Sequence, residues 1–134
     1  MKGIGIDFFF FLMFSSLIIG KSYAQNESLF ADVRSALKAG SSKELSQHFH
    51  DNIQLNIKGE SGNYSKAHAE IYLKEFFKKN EPISFKYVIQ RSTKGDLKYA
   101  IGNYVHSEGK YLVLIRAKKI DGKEKIYSID FSEE

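Results

Sequence analysis

The densest group of titratable side chains is His48-Phe49-His50-Asp51. Two imidazoles at that spacing project to one side of a β-strand, where they would share a metal ion. On a helix the same pair diverges by about 200°. The segment closes a helical pattern, so the expectation is that His48 and His50 cap or solvate a helix C-terminus, where an imidazolium is favoured. His68 and His106 stand apart, and no second cluster supplies ligands at a readable spacing. No metal and no cofactor is assigned. Asp51 and Asp130 are the acids closest to apolar segments. Either would need burial to lift its pKa toward neutrality before serving as a general base. Both read as surface residues, so no catalytic residue is assigned. The remaining candidates are aromatic. Tyr72, Phe76, Phe85, Tyr87, Tyr99 and Tyr127 fall on apolar faces of predicted elements, and Arg91 ends one of them. They would line a cavity between helix and sheet, with Arg91 near the mouth, and such a cavity suits a small apolar ligand. The same rings would serve equally as core, which a domain this small needs, and that reading is favoured.

The stretch that must position them is Tyr64 to Asn80. Ala69, Tyr72, Leu73 and Phe76 recur at i, i+3, i+4 and i+7, with Phe77 beside them and charged residues opposite. Ser65 is an N-cap, Lys78 and Lys79 sit where the helix dipole favours cations, and Pro82 prevents continuation. Before it, Glu27 to Ala39 carries an apolar stripe ending at Gly40, and a shorter helix starts at Ser42 with Leu45 and Phe49 at i and i+4. Asn52 to Lys58 alternates as a half-buried strand, and Gly59 to Asn63 is a turn with a short return strand at Asn63 to Ser65. After Pro82, strands are predicted at Ile83 to Arg91, Asp96 to His106, Lys110 to Lys118 and Lys125 to Phe131. Glycine-containing connectors join them into a meander, Asp121-Gly122 being the strongest hairpin signal.

The first 24 of the 134 residues read as a secretory signal peptide. Lys2 precedes the apolar run Phe8 to Ile19, and Ser22-Tyr23-Ala24 offers small residues at the −3 and −1 positions of a cut after Ala24. The run is shorter than the ~20 apolar residues a membrane span requires. Residues 25–134 would then form one exported domain, periplasmic or secreted, with no membrane attachment after cleavage. No cysteine is present, so neither a disulfide nor a lipid-modified cysteine is available. Losing Lys2, Lys21 and Asp7 with the leader lowers the formal net charge from +4 to +3. Both signs are interleaved, and no clustered basic patch points to nucleic acid. Lys110 to Lys118 is apolar on both faces: Tyr111, Val113 and Ile115 on one, Leu112 and Leu114 on the other. Helices cover only one face of a sheet. The second would be covered by another copy, a homodimer through the sheet, or by loops and the sheet's own curl.

Helix, short helix, hairpin, long helix and four meandering strands resemble the nuclear-transport-factor-2-like superfamily, which includes ketosteroid isomerase and scytalone dehydratase. The pattern is most similar to a family of small secreted bacterial proteins of that fold with no assigned function. Ala36-Leu37 with Gly40, Asn56-Ile57-Lys58-Gly59, Tyr64-Ser65-Lys66, Phe76-Phe77 and Tyr99-Ala100-Ile101-Gly102 carry the resemblance. It implies an α+β fold in which N-terminal helices and one long helix pack on a strongly curved antiparallel sheet, with a cavity at the open end of the cone. It also implies that sheet-to-sheet homodimers are common. None of the acid–base residues of the isomerase or the dehydratase maps onto a position here. The expectation is a non-catalytic binding or interaction module; the alternatives are a pocket enzyme of the isomerase or dehydratase type and a purely structural homodimer.

Overall fold

A computed structural model describes residues 29–93 and 95–134. The predicted signal segment and the expected start of the first helix at Glu27 lie outside the described residues. The elements are α1 (Leu29–Ala39), α2 (Ser42–Ser46), β1 (Phe49–Ile57), β2 (Glu60–Ser65), α3 (Lys66–Lys79), β3 (Ser84–Ser92), β4 (Leu97–His106), β5 (Gly109–Ile120) and β6 (Lys123–Glu133). This is the α+β architecture expected, with a six-stranded sheet in the order β2-β1-β6-β5-β4-β3.

Each helix forms where its apolar stripe can be buried. Phe30, Val33, Ala36 and Leu37 of α1 face the core, and the helix stops at Gly40, whose φ of +64° suits a residue without a side chain. Proline 82 packs there too: a Cβ on Gly40 would lie 3.0 Å from Pro82 Cδ. The hydroxyl of Ser41 accepts from the Glu44 amide at 3.1 Å and starts α2. That helix is only five residues long. Phe49, expected as its i+4 partner to Leu45, instead opens β1. One turn of helix has little cooperativity, whereas the sheet offers hydrogen bonds, beginning with Ile126 N to His48 O at 2.7 Å.

The sheet is antiparallel except where β1 meets β6, which run parallel. The hairpin between β1 and β2 turns on Lys58 and Gly59 alone, with φ of 55° and 84°. Positive φ at both positions gives the reversed twist that matches two right-twisted strands. The turn is therefore tighter than the expected Gly59 to Asn63, and β2 is correspondingly longer. Asp121 and Gly122 repeat the device between β5 and β6, as predicted.

Two irregularities decide which side chains face the helices. Tyr87 pairs with Gly102 but Ile89 with Ile101, which leaves Val88 as a bulge, 61% exposed. Arg116 pairs with Ser128 but Ala117 with Ile126, which leaves Tyr127 as a second bulge. Each bulge reverses the alternation beyond it. The inner face thus carries Phe85, Ala100, Tyr104, Tyr111, Val113, Ile115, Ile126, Ile129 and Phe131, all buried. The residue at Gly102 must be small, because a Cβ there would sit 2.8 Å from the Lys86 carbonyl oxygen and closer still to the Phe85 ring.

Candidate functional site

Between α3 and the sheet, where the sequence allows a cavity or a core and favours the core, the space is occupied by rings. Phe76 lies 4.6 Å, centroid to centroid, from Phe131 and 5.3 Å from Tyr111, and it also touches Phe77 and Tyr104. Tyr104 and Phe131 are fully buried. The rings meet tilted or edge-on, as their quadrupoles prefer. Asn80, which caps α3, ties this cluster to the helix end. Its carbonyl accepts from the Tyr104 hydroxyl, its Oδ1 from Tyr111 at 3.4 Å, and its Nδ2 donates to the Phe76 carbonyl at 3.1 Å. Burial raises the Tyr104 pKa well above the usual phenol range, so this hydroxyl remains a donor.

Open space lies instead beside α3, in a groove of about 680 Å³ between that helix and the β1–β2 hairpin. The helix contributes His68, Ile71, Tyr72, Glu75, Phe76 and Lys79, a stripe at i, i+3, i+4, i+7, i+8 and i+11. The hairpin contributes Ile57, Lys58 and Tyr64. The sequence places both walls. Ser65 ends β2 and caps α3, its hydroxyl accepting from the His68 amide at 3.2 Å, so Tyr64 and Tyr72 stand side by side with ring centroids 5.4 Å apart. Gly62 lies beneath the Tyr64 ring, with no room for a Cβ. Burial, then the neighbouring Tyr64 and Glu60, raises the Tyr72 pKa. Ile71 stands on the rim, 61% exposed.

At the hairpin tip Lys58 pairs with Glu133 at 3.3 Å. Glu133, followed by the Tyr111 hydroxyl, raises its pKa. Lys58 and Asn80 also border a second depression of about 230 Å³ reaching His106, Lys110 and Glu134. There the His106 ring stacks on Tyr111 at 5.1 Å. Among the described residues the groove's one carboxylate, Glu75, turns to Lys78 at 3.6 Å.

Of the residues singled out in the sequence, Tyr72 and Phe76 border the groove, Tyr72 as wall and Phe76 as floor. Phe85 and Tyr87 are on the same face of the sheet but pack under α1: their rings meet edge-on at 5.0 Å, and the Tyr87 hydroxyl donates to the Phe30 carbonyl at 2.7 Å. Arg91, Tyr99 and Tyr127 are on the opposite face. Arg91 pairs with Tyr99 and Tyr99 with exposed Arg116, while Tyr127 lies under the Lys118 ammonium at 4.9 Å. His50 is a strand residue, its ring bonded to the Asn52 amide. Among the described residues no group of three His, Asp or Glu side chains could hold a metal. Asp130 accepts from Asn56 and Ser132 on the outer face, away from the groove. Periodicity alone misses Lys58 and Tyr64, which the two-residue turn brings to the helix. One signal was available for Ile71: an apolar residue out of phase with the buried stripe of its own helix.

A curved sheet wrapped on one long and two shorter helices defines a cone-shaped protein of the nuclear-transport-factor-2-like, or cystatin-like, class. The chain belongs to the family described as domain of unknown function DUF4783, whose profile matches residues 30–132. A DUF4783 family protein from Bacteroides ovatus is 31% identical, with a TM-score of 0.75 over 78% of this chain and 94% of its own. Another, from Bacteroides uniformis, is 25% identical, with a TM-score of 0.76 over 80% and 98%. A domain of unknown function with a cystatin-like fold from Nostoc punctiforme shares 12% identity, with a TM-score of 0.62 over 78% and 72%. No curated protein matches the chain.

Proposed function

We propose that this protein is an exported, non-catalytic binding module that takes a small apolar ligand in the groove beside α3. The observation that carries the reading is apolar surface left open: exposed Ile71 and half-buried Tyr64 and Tyr72 converge, over buried Ile57 and Phe76, on one concave site of a size that holds small molecules. The groove's acid, Glu75, is solvent-facing and ion-paired, which suits a binder better than a pocket enzyme needing a buried general base. Nile red, a neutral apolar dye, tests the site. Binding with fluorescence gain is expected, weakened about tenfold by Ile71→Ser with no loss of folding cooperativity, since a lost butyl contact is worth roughly 1–2 kcal/mol. Dye uptake that ignores Ile71→Ser would refute the assignment. Export is supported by Lys2, the Phe8 to Ile19 run and Ser22-Tyr23-Ala24. The mass of the protein recovered outside the cytoplasm should begin at Gln25, and an uncut chain would count against it.

A homodimer through the sheet is a second reading. Ile89, Ile101 and Leu114 are directly opposite one another across three strands on the outer face, each only half-buried. A sedimentation run at micromolar concentration tests it.

A further inference from the structure

We infer that the groove's occupant is a single-chain carboxylate amphiphile, lying along α3 with its head between Lys58 and Lys79. This rests on the reading that the groove takes an apolar ligand, and it adds the ligand's chemistry. Shape comes first. The helical wall runs from His68 to Asn80, about 18 Å at 1.5 Å per residue. A long, shallow trough fits an extended chain better than a compact ring system.

Polarity comes next. The groove's free polar groups are two phenols, which donate and accept, and an ammonium, which only donates. The Tyr64 and Tyr72 hydroxyls engage no protein partner among the described residues, in contrast to those of Tyr87, Tyr104 and Tyr111. Lys79 makes no ion pair among the described residues. The carbonyl and carboxylate acceptors are already engaged. Both oxygens of Asn80 already accept from Tyr104 and Tyr111, and Glu75 is turned to Lys78. A cationic head would meet two lysines, and a neutral sugar-like head, though the phenols could accept from it, would leave the Lys79 charge unmatched. A carboxylate matches what is present. One negative charge is enough, because Glu133 already balances Lys58 and, among the described residues, leaves Lys79 as the groove's uncompensated lysine.

The test titrates residues 25–134 with dodecanoate and with dodecyltrimethylammonium, each below its micellar concentration, by calorimetry. One dodecanoate per chain is expected, bound at least tenfold more tightly than the ammonium. Lys79→Met should bring that ratio close to one, while Lys110→Met, outside the groove, should leave it intact. Equal affinities in the unsubstituted protein, or a ratio unmoved by Lys79→Met, overturn the carboxylate assignment and leave the groove as an apolar site. Binding of neither amphiphile together with no binding of Nile red overturns the groove itself. Flotation with phosphatidylglycerol vesicles, undiminished by free dodecanoate, overturns it in favour of a membrane surface.

Discussion

Buried phenols separate this protein from one held by aliphatic packing alone. Tyr87 and Tyr104 each fasten a helix backbone to the sheet through one hydroxyl, at the Phe30 and Asn80 carbonyls. Burial raises both pKa values far above the phenol value of 10.0. Below about pH 10 both states keep these protons and the bonds contribute in full. Above it the unfolded chain releases protons that the native chain retains, so stability falls as pH rises. Melting temperatures should hold steady from about pH 7 to 9 and then decline, and the double variant Tyr87→Phe, Tyr104→Phe should decline less steeply. An unchanged slope would mean that other groups govern alkaline unfolding. The same logic makes these residues poor chemistry: a phenol held this firmly protonated is a strut, not a base.

At the scale of elements, α3 is the part most plainly written in the sequence. Its cap, its stripe and its basic last turn all appear where expected, with boundaries two residues inside the predicted start and one inside the end. Replacing Ser65 with Ala removes the acceptor for the His68 amide and should cost roughly 1 kcal/mol, read from the urea midpoint at unchanged m-value. A change of under about 0.3 kcal/mol would show the cap to be redundant. The strands were legible as strands but not as faces. Alternation assumes an uninterrupted ladder, and a bulge is one residue that breaks it without any marker of its own. Val88 and Tyr127 are ordinary strand formers, so nothing at those positions announces the reversal that sends Ile89 and Tyr127 outward. In β4 the phase itself misleads: Tyr99, Ile101 and Val105 are the larger residues, yet the smaller Ala100 and Gly102 face inward because Phe85 and Tyr87 need the room. The groove was half legible for a related reason. Tyr72 and Phe76 belong to the apolar stripe, whereas Lys58, Tyr64 and Lys79 read as strand end, return strand and basic last turn until the hairpin folds against the helix.

For the molecule as a whole, the reversed phase of β4 enlarges the apolar area on the outer face. Ile89, Ile101, Val105, Leu112 and Leu114 are partly exposed there, among Arg91, Arg116 and Lys118. If two copies meet on this face, sedimentation at about ten micromolar gives a dimer, and Leu114→Lys, which places a charge in the middle strands, gives a stable monomer. A monomer in the unsubstituted protein ends the dimer reading and leaves the groove untouched. The parallel pairing of β1 with β6 has its own consequence. The last strand to be made occupies the third place in the sheet, with β1 on one side and β5 on the other. A ribosome emitting this chain delivers two separate half-sheets first, β1–β2 and β3–β5, and neither can close on the other until β6 arrives between them. Such contacts between distant parts of the chain form slowly. If the chain is exported as proposed, it would meet a secretion channel with its sheet still open until β6 has been made.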